Sequence, residues 1–323
     1  MTAIDRAARL RGGVYGLLVG DALGVPYEFH PASALPPKSV LAMTPPQSLP
    51  SGAAFRRAHE GVPPGTWSDD GAQALCLLAS LLEHGRLELN DFADRCVRWY
   101  HDAYMTPDAV VFDIGVQTSG ALNAIRRGVP LSEAGRSDER GNGNGSLMRC
   151  LPLALWHQGS DLQLVADAQA QSIITHPHPR SQVCCAIYCL WARGLLNGVA
   201  SEPAFAAAVA TLRELYPADG PHLEELEFHI RPEEDAAIRG SGYVVDSLRA
   251  ARHLLATEPT YEDVVRSAIA LGEDTDTTAC IAGGVAGVLH GDAQIPEEWL
   301  SELKGRALVD PLVESLLAAT NPA

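Results

Sequence analysis

The sequence predicts an all-α fold, and three features of its 323 residues support that prediction. Alanine, leucine, glutamate and arginine are abundant, and these residues favour helices. Alternating runs of β-branched residues, which are typical of half-buried strands, are nearly absent. Apolar residues instead recur at the three- and four-residue spacing of a helix face. One such set is Leu75, Leu78, Ala79 and Leu82.

The first helix is predicted over residues 4–24 and leads into a proline-rich loop. Eight of the 22 prolines lie between Pro31 and Pro64, and proline this dense neither continues a helix nor leaves donors for a sheet. A second helix is predicted to begin at Ser68. Further helices are predicted over residues 91–103, 109–127, 146–157, 161–174, 180–197, 203–215, 236–255, 260–270, 276–290 and 306–319.

The helix predicted over residues 276–290 has an unusual content of small residues. Ala279, Gly283 and Gly287 recur at every fourth position. An interior glycine costs a helix about 1 kcal/mol relative to alanine, so a compensating contact is expected. We therefore expect another backbone to approach this helix closely and the helix to be central and buried.

The domain organisation follows from the even composition of the chain. At about 150 residues per domain, the length alone would suggest two domains. No composition shift, internal repeat or long linker marks a boundary. Residues 1–323 are therefore predicted to form a single domain.

The charge of the chain excludes two classes of partner. The sequence has 24 Lys and Arg against 40 Asp and Glu, which gives a formal net charge of −16. A nucleic-acid-binding protein needs a basic face, and no cluster of Lys and Arg supplies one. An anionic membrane surface would repel the chain, and no stretch approaches 18 uninterrupted apolar residues. The sequence thus predicts neither nucleic-acid binding nor membrane association.

The seven cysteines and the N-terminal segment predict a cytoplasmic protein. The cysteines have no metal-finger spacing, and most lie in apolar helical runs, which suits a reducing compartment. Arg6, Arg9 and Arg11 precede an apolar stretch over residues 14–25, as in a signal peptide. Asp21 interrupts that stretch, and no cleavage site follows it, so export is not expected.

Two acidic segments open predicted helices, and together they indicate a metal site. They are Ser68-Asp69-Asp70 and Asp274-Thr275-Asp276-Thr277. Either segment alone is typical of a helix start, because a serine caps and acids oppose the helix dipole. Both helices continue with small apolar residues, so we expect their first turns to meet at the floor of a cleft. Like charges about 4 Å apart there would repel by about 4 kcal/mol per pair, and two divalent cations would balance the four carboxylates.

The chemistry of these side chains predicts the class of cation. Carboxylate and hydroxyl oxygens are hard ligands, and no cysteine or histidine stands beside them. Mg²⁺, Mn²⁺ or Ca²⁺ suits such a set better than Zn²⁺.

Three further acids stand in settings that leave two interpretations open. Asp21 either forms hydrogen bonds at a helix end or supports the site. Glu28 follows the first helix in a loop, and the sequence alone favours an exposed glutamate over a mobile catalytic acid or base. Asp113 lies in an apolar setting beside Gly115.

A glycine-rich turn and a histidine segment are candidates for ligand binding. Residues 141–146 read Gly-Asn-Gly-Asn-Gly-Ser and precede a predicted helix, an arrangement that presents N–H groups to phosphates. A flexible loop with a serine cap is the alternative. Arg149 has equal claims to be a phosphate ligand or a structural residue. The segment Thr175-His176-Pro177-His178 is more typical of an ordered loop than of a metal site.

In this order along the chain, the motifs resemble the ADP-ribosylglycohydrolase family over residues 10 to 292. They are Gly-Asp-Ala-Leu-Gly, Trp-Ser-Asp-Asp, Asp-Ile-Gly, Gly-Asn-Gly-Asn-Gly-Ser-Leu-Met-Arg, Thr-His and Asp-Thr-Asp-Thr-Thr-Ala. The resemblance implies a compact orthogonal bundle of many helices around a binuclear Mg²⁺ or Mn²⁺ cleft. Ser68 replaces a usual threonine, and Gly71 and Glu273 also depart from the family pattern, which leaves the acceptor of ADP-ribose open.

The resemblance also implies roles for individual residues. The implied metal ligands are Ser68, Asp69, Asp70, Asp274, Asp276 and Thr277. The implied catalytic residues are Glu28, Asp69 and Asp113, of which Glu28 or Asp113 would handle the leaving-group proton. The implied substrate-binding residues are Asn142, Gly143, Gly145, Ser146 and His176.

The implied reaction is metal-dependent hydrolysis that removes ADP-ribose from a modified protein side chain. Arginine-linked ADP-ribose is the first expectation, with serine-linked or O-acetyl-ADP-ribose as the alternative. The expected partner is an ADP-ribosylated protein, the product is ADP-ribose, and the enzyme is expected to act as a monomer. Two other functional classes are less consistent with the sequence. A non-catalytic ADP-ribose binder is disfavoured by the full set of acids, and His101-Asp102 alone does not complete a phosphohydrolase site.

Overall fold

The computed structural model describes residues 4–320, which form fifteen α-helices and, within that range, no strand. In chain order the helices are α1 (Arg6–Gly24), α2 (Asp69–His84), α3 (Leu89–Asp102), α4 (Val116–Arg126), α5 (Leu131–Ala134), α6 (Leu151–Trp156), α7 (Asp161–Ile173), α8 (Pro179–Leu196), α9 (Ser201–Leu215), α10 (Pro221–Glu224), α11 (Val244–Thr257), α12 (Tyr261–Ala270), α13 (Thr275–His290), α14 (Glu297–Glu302) and α15 (Arg306–Thr320). Single 3-10 turns occur at Val25–Tyr27, Ala32–Ala34, Lys38–Val40 and Asp292–Gln294, and a π-helical turn at Glu225–Ile230. The all-α prediction is confirmed.

Helices α1 and α13 pack against each other as an antiparallel pair at the centre of the fold. A Cβ added at Gly16 would lie 2.5 Å from the carbonyl oxygen of Gly283, and Gly12 and Gly287 are in equally close contact. Every residue of α13 from Thr275 to Val288 is buried. The expectation of close backbone approach along this helix is confirmed.

The C-terminal end of α1 positions both acidic helix starts. The carboxylate of Asp21 accepts hydrogen bonds from the backbone N–H groups of Ser68 (2.9 Å) and Gly71 (2.8 Å), which fixes the first turn of α2. The Thr275 hydroxyl donates to the carbonyl oxygen of Gly24 at 2.8 Å, which fixes the first turn of α13. Asp21 therefore acts as a hydrogen-bonding residue that supports the site.

The predicted helices differ from the observed ones mainly at their starts. The segment predicted as helix over residues 109–127 is helical only from Val116, because Ala109 and Asp113 have left-handed φ angles of 55° and 57°. The segment over residues 146–157 is helical only from Leu151, and that over residues 236–255 only from Val244. In each case the residues ahead of the helix form loops that line the cleft described below.

The apolar character of the helices bears on membrane association. Among residues 4–320, no helix combines the length and the hydropathy needed to cross a bilayer.

Candidate active site

The two acidic segments meet in three dimensions. The Thr277 hydroxyl at the start of α13 donates to Oδ2 of Asp70 at 3.3 Å, across 207 residues of sequence. The Ser68 hydroxyl donates to the same oxygen at 3.1 Å and also accepts the N–H of Asp70, which caps α2. Ser68 thus both caps α2 and takes part in the shared cluster, whereas the Asp274 side chain makes no capping hydrogen bond at the start of α13.

Burial places these carboxylates under electrostatic strain. Asp70 and Asp276 have no exposed surface, and Asp69 is 4 % exposed. Desolvation, followed by repulsion from neighbouring acids, raises the pKa of each of these three residues well above its usual range. Desolvation also raises the pKa of Asp274, although the Asn144 amide opposes this by donating to Oδ2 at 2.7 Å. So many acids in one buried place require either protons or cations.

Unpartnered oxygen atoms show that a divalent cation suits this cluster. Oδ1 of Asp70 and Oδ2 of Asp276 are buried and have no hydrogen-bond partner, and neither has the Thr278 hydroxyl. A buried carboxylate oxygen without a donor is costly unless a cation neutralises it. The groups that would bind the cation are carboxylates and hydroxyls, and Mg²⁺ and Mn²⁺ prefer such oxygen ligands.

Glu28 is buried, so the exposed-glutamate interpretation is wrong. It is 4 % exposed, at the end of the 3-10 turn that follows α1. Its carboxylate lies with those of Asp274 and Asp276 in a group whose donor atoms are all within 4.8 Å of one another. Desolvation, followed by repulsion from Asp113 and Asp274, raises the pKa of Glu28 to about 11. The side chain thus belongs to the acidic cluster.

Asp113 lies at the same cluster on the loop ahead of α4. Its φ of 57° is left-handed, a conformation that costs about 1 kcal/mol or more in a residue other than glycine. Desolvation is the main cause that raises the pKa of Asp113 to about 7. His59 stands near both acids, with Nε2 at 2.6 Å from Oε2 of Glu28 and 3.9 Å from Oδ1 of Asp113.

These residues form one end of an open cleft of about 840 Å³. Its lining combines acids, glycines, a few apolar side chains and a single Arg or Lys. The lining residues are Glu28, Phe29, Asp69, Asp113, Ile114, Gly115, Val116, Gln117, Thr118, Arg140, Gly143, Asn144, Gly145, Met148, His176, Ser241, Gly242, Glu273, Asp274 and Thr277.

The glycine-rich turn lines the cleft as the sequence indicated. A Cβ at Gly145 would lie 2.8 Å from Cε1 of His176, so the turn packs closely on that ring. Desolvation, followed by the charge of Arg149, lowers the pKa of His176 to about 3, so the ring is neutral. Its Nδ1 is 2.8 Å from the Thr175 hydroxyl, which fixes the ring orientation.

Two of the expected substrate-binding side chains point away from the cleft lining. The Ser146 hydroxyl is fully buried and accepts a hydrogen bond from Ser172 at 2.8 Å. The Asn142 amide bonds to the carbonyl oxygen of Glu139 and accepts from Ser181. Both side chains therefore pin the turn to the protein, and the assignment of Asn142 and Ser146 to substrate binding stays a prediction. Asn144 faces the cleft instead.

The remaining open interpretations are resolved by burial. The Arg149 guanidinium is fully buried and donates to Gln73 and Gln171, so Arg149 is structural. His101 is exposed at the end of α3 and contacts Arg126. No group of potential metal ligands found within residues 4–320 includes His101 or Asp102. Among the described residues, therefore, no further metal ligands gather around His101-Asp102.

Two cleft residues, Asn144 and Arg140, and one residue beside the acidic cluster, His59, were not singled out from the sequence. Asn144 stands inside the glycine-rich turn, so its position gave a usable signal. Arg140 comes directly before that turn and is the one Arg or Lys of the lining. His59 gave no signal, because an isolated histidine in a proline-rich loop has no periodicity or motif.

Comparisons with known proteins agree on one family. A model of the ADP-ribosylglycohydrolase family matches residues 2–323. A solved structure described as an "ADP-ribosylglycohydrolase-related protein complex" superposes with a TM-score of 0.75 at 31 % identity. The match covers 98 % of this chain and 99 % of that one.

Curated relatives come from bacteria and animals. The ADP-ribosylarginine hydrolase Tri1 of Serratia proteamaculans (strain 568) is 32 % identical, over 97 % of this chain and 79 % of its own. The ADP-ribosyl-[dinitrogen reductase] glycohydrolase of Rhodospirillum rubrum is 27 % identical over 98 % of both chains. The ADP-ribosylhydrolase ARH3 of Mus musculus is 28 % identical over 98 % of this chain and 92 % of its own.

Proposed function

The chain belongs to the ADP-ribosylglycohydrolase family, and we propose that it releases ADP-ribose from modified arginine side chains with the help of two divalent cations. Hydrolytic removal of ADP-ribose from proteins is the activity shared by the relatives that it matches along nearly its full length. The arginine acceptor is supported by the names of the two Tri1 relatives, at 32 % and 30 % identity.

One observation carries this proposal: two helix starts 207 residues apart share a buried cluster of carboxylates with unpartnered oxygens. The cluster forms one end of the cleft, and the glycine-rich turn lines the same cleft. A nucleotide sugar needs both features, because the ribose carries neighbouring hydroxyls and the diphosphate carries negative charge.

We assign the cations to the oxygen ligands that the cluster offers. These are Ser68, Asp69, Asp70, Asp274, Asp276 and Thr277. When bound, Mg²⁺ or Mn²⁺ would supply Lewis acidity that orients the ribose hydroxyls and makes water more acidic.

The side chains of the cleft then have distinct tasks in hydrolysis. Water forms a new bond to C1″ of the ribose and gives one proton to a carboxylate of the cluster, the bond from C1″ to the acceptor nitrogen breaks, and the leaving nitrogen takes up a proton from a carboxyl group. The Glu28 carboxyl group, which has an oxygen within 4.8 Å of carboxylate oxygens of Asp274 and Asp276, is placed to donate that proton. Asp69 and Asp113 line the cleft as carboxylates that stabilise positive charge on the ribose ring.

The glycine-rich turn and Arg140 supply the binding groups for the diphosphate. Gly143 and Gly145 place backbone along the cleft. A larger residue at Gly145 would collide with His176. Arg140 adds a positive charge beside the same turn. These groups offset the overall negative charge of the protein at the one place where an anion must bind.

The deciding experiment measures release of ADP-ribose from arginine-modified and serine-modified proteins, each with Mg²⁺ and with a chelator. We expect release from the arginine-linked substrate in Mg²⁺ and loss of release in chelator. Preferential release from the serine-linked substrate would replace the arginine assignment with the alternative acceptor. Calorimetric binding of ADP-ribose without release from any substrate would instead indicate a non-catalytic binder.

The compartment and the assembly state follow as further parts of the proposal. All seven cysteines are buried and free. This pattern supports a reducing, cytoplasmic environment. We expect the enzyme to act as a monomer on ADP-ribosylated proteins and not to bind nucleic acid, given its net charge of −16.

A further inference from the structure

Among the described residues, the Glu28 carboxyl group has one hydrogen-bond partner, which is His59. Its Nε2 is 2.6 Å from Oε2 of Glu28, and the two side chains are 15 % and 5 % exposed. Solvent therefore competes little for this hydrogen bond. Oδ1 of Asp113 is 3.9 Å from the same nitrogen, too far for a direct hydrogen bond.

The His59 ring is held by its surroundings. Its centroid lies 5.5 Å from that of Phe29 and 5.0 Å from that of Phe112. The Ala58 N–H donates to the carbonyl oxygen of Pro26 at 2.9 Å, which ties this loop to the end of α1. The φ angle of His59 is 49°, a left-handed value that the surrounding contacts must maintain. The ring is thus fixed relative to the segment that carries Glu28.

The backbone of Glu28 is anchored, but its side chain depends on His59. The Phe29 N–H donates to the carbonyl oxygen of Glu273, and the Glu273 N–H donates to that of His30, both at 2.7 Å. These bonds fix where the Glu28 side chain begins. They leave its carboxyl group free to rotate, since a glutamate has three rotatable bonds.

We propose that His59 is a positioning residue that holds the Glu28 carboxyl group at the acidic cluster, where it meets the leaving group. This inference rests on the proposed function, in which Glu28 handles the leaving-group proton. Misplacing a reacting group by about 1 Å can cost about 100-fold in rate. His59 is not among the residues that line the cleft, so its loss lowers kcat and leaves KM nearly unchanged.

Two substitutions separate the hydrogen bond from the packing of the ring. H59F keeps an aromatic ring beside Phe29 and Phe112 but cannot form the hydrogen bond to Glu28. H59Q loses the ring and keeps a polar amide that can donate or accept a hydrogen bond. The assay uses saturating Mg²⁺ and arginine-ADP-ribosylated protein. We expect H59F to lower kcat about ten-fold or more, and we expect the kcat of H59Q to be much closer to that of the unsubstituted enzyme. KM should stay within about two-fold in both.

The double variant tests whether His59 acts through Glu28. If it does, the combination of H59F with E28Q has the same kcat as E28Q alone, because the group that His59 positions is already inactive. Arg56→Ala is the matched control, since it removes an exposed ion pair with Glu60 on the same loop and should leave kcat unchanged. Thermal unfolding of every variant is recorded beside the rates.

The outcomes distinguish this inference from the proposed function. Full turnover in E28Q would overturn the role of Glu28 in the proposed function. Loss in E28Q with unchanged kcat in H59F, or losses that multiply in the double variant, would overturn the role of His59 alone. If H59F fails to fold, H59L repeats the removal of the donor with a smaller apolar side chain. Failure of both to fold would assign His59 a structural role and overturn the proposal.

Discussion

At the scale of single residues, the acids of the site differ in what satisfies their oxygens. The Asp21 carboxylate accepts three hydrogen bonds from the backbone N–H groups of Ser68 and Gly71, so both of its oxygens have a donor without a bound cation. Asp70 and Asp276 each keep one buried oxygen without a donor. The first arrangement suits a supporting residue and the second suits the cation ligands that we propose, although all three residues are aspartates in apolar helices.

Replacement of Glu28 by glutamine tests its role as a proton donor. The amide has nearly the same shape but carries no proton of suitable acidity, so we expect kcat to fall about 100-fold or more. Affinity for ADP-ribose, measured by calorimetry in Mg²⁺, should change little because the product lacks the leaving group. Retained turnover would show that another residue, such as Asp113, delivers the proton.

Replacement of Asp276 by asparagine tests the cation site. The substitution removes a ligand charge, and we expect Mg²⁺ affinity to fall about 100-fold, since loss of even a ligand's hydrogen-bonding partner costs 10- to 100-fold. Activity should fall with it, while the metal-free fold persists because a repulsive charge has been removed. Mg²⁺ titration by calorimetry is the measurement. Asp219→Asn, at an exposed position, is the control. Unchanged Mg²⁺ affinity would remove Asp276 from the cation site.

At the scale of elements, the central helix pair sets the position of the site. Facing glycines bring the backbones of α1 and α13 together, and they end where Gly24 lies against the Cα atom of Asp276. The distance between these helices therefore controls how the first turn of α13 meets that of α2. The small residues that reduce helix propensity along α13 are the cause of this close approach.

A single methyl group between these helices should therefore weaken the fold. Gly16→Ala would place its Cβ 2.5 Å from the carbonyl oxygen of Gly283, and overpacking of this kind costs about 1–3 kcal/mol. We expect a lower free energy of unfolding in denaturant titrations. Gly120→Ala in α4 is the matched control, because no atom lies within 4 Å of its added Cβ, and it should stabilise the protein by up to about 1 kcal/mol. Equal effects of the two substitutions would contradict this account of the helix pair.

At the scale of the whole molecule, the fold buries many acidic side chains close together, where their charged forms are unfavourable. Desolvation is the main cause that raises the pKa of both Asp21 and Asp113 to about 7, from a usual 3.8. Between pH 3.8 and about pH 7, the folded protein without cations binds more protons than the unfolded chain. Its stability therefore falls as the pH rises through this range, and cations that bind only the folded state oppose the fall.

This burial of acidic side chains predicts a coupling between pH, cation binding and stability. In chelator, the melting temperature should be lower at pH 8 than at pH 5.5. Saturating Mg²⁺ should raise it more at pH 8, because protons no longer compete for the carboxylates. Differential scanning calorimetry at both pH values, with Ca²⁺ as a second cation, measures the effect. A Mg²⁺ stabilisation that is independent of pH would mean that the buried carboxylates are not its source.

The sequence by itself determined the helical class, the close packing along α13 and the two acidic segments. These properties rest on periodicity and on residue types that lie near one another in the chain, such as Asp274 and Asp276. Helix starts at Val116, Leu151 and Val244 were predicted too early, because the loops ahead of them are fixed by contacts with distant parts of the chain.

Only the tertiary structure decided which side chains reach the cleft. Glu28 is buried because α1, the loop around His59 and the turn at Glu273 close over it, and none of these contacts is local. Ser146 and Asn142 turn inward while Asn144 turns outward, although all three stand in one glycine-rich segment. Side-chain direction in a loop depends on long-range hydrogen bonds and packing, and no spacing pattern in the sequence encodes them.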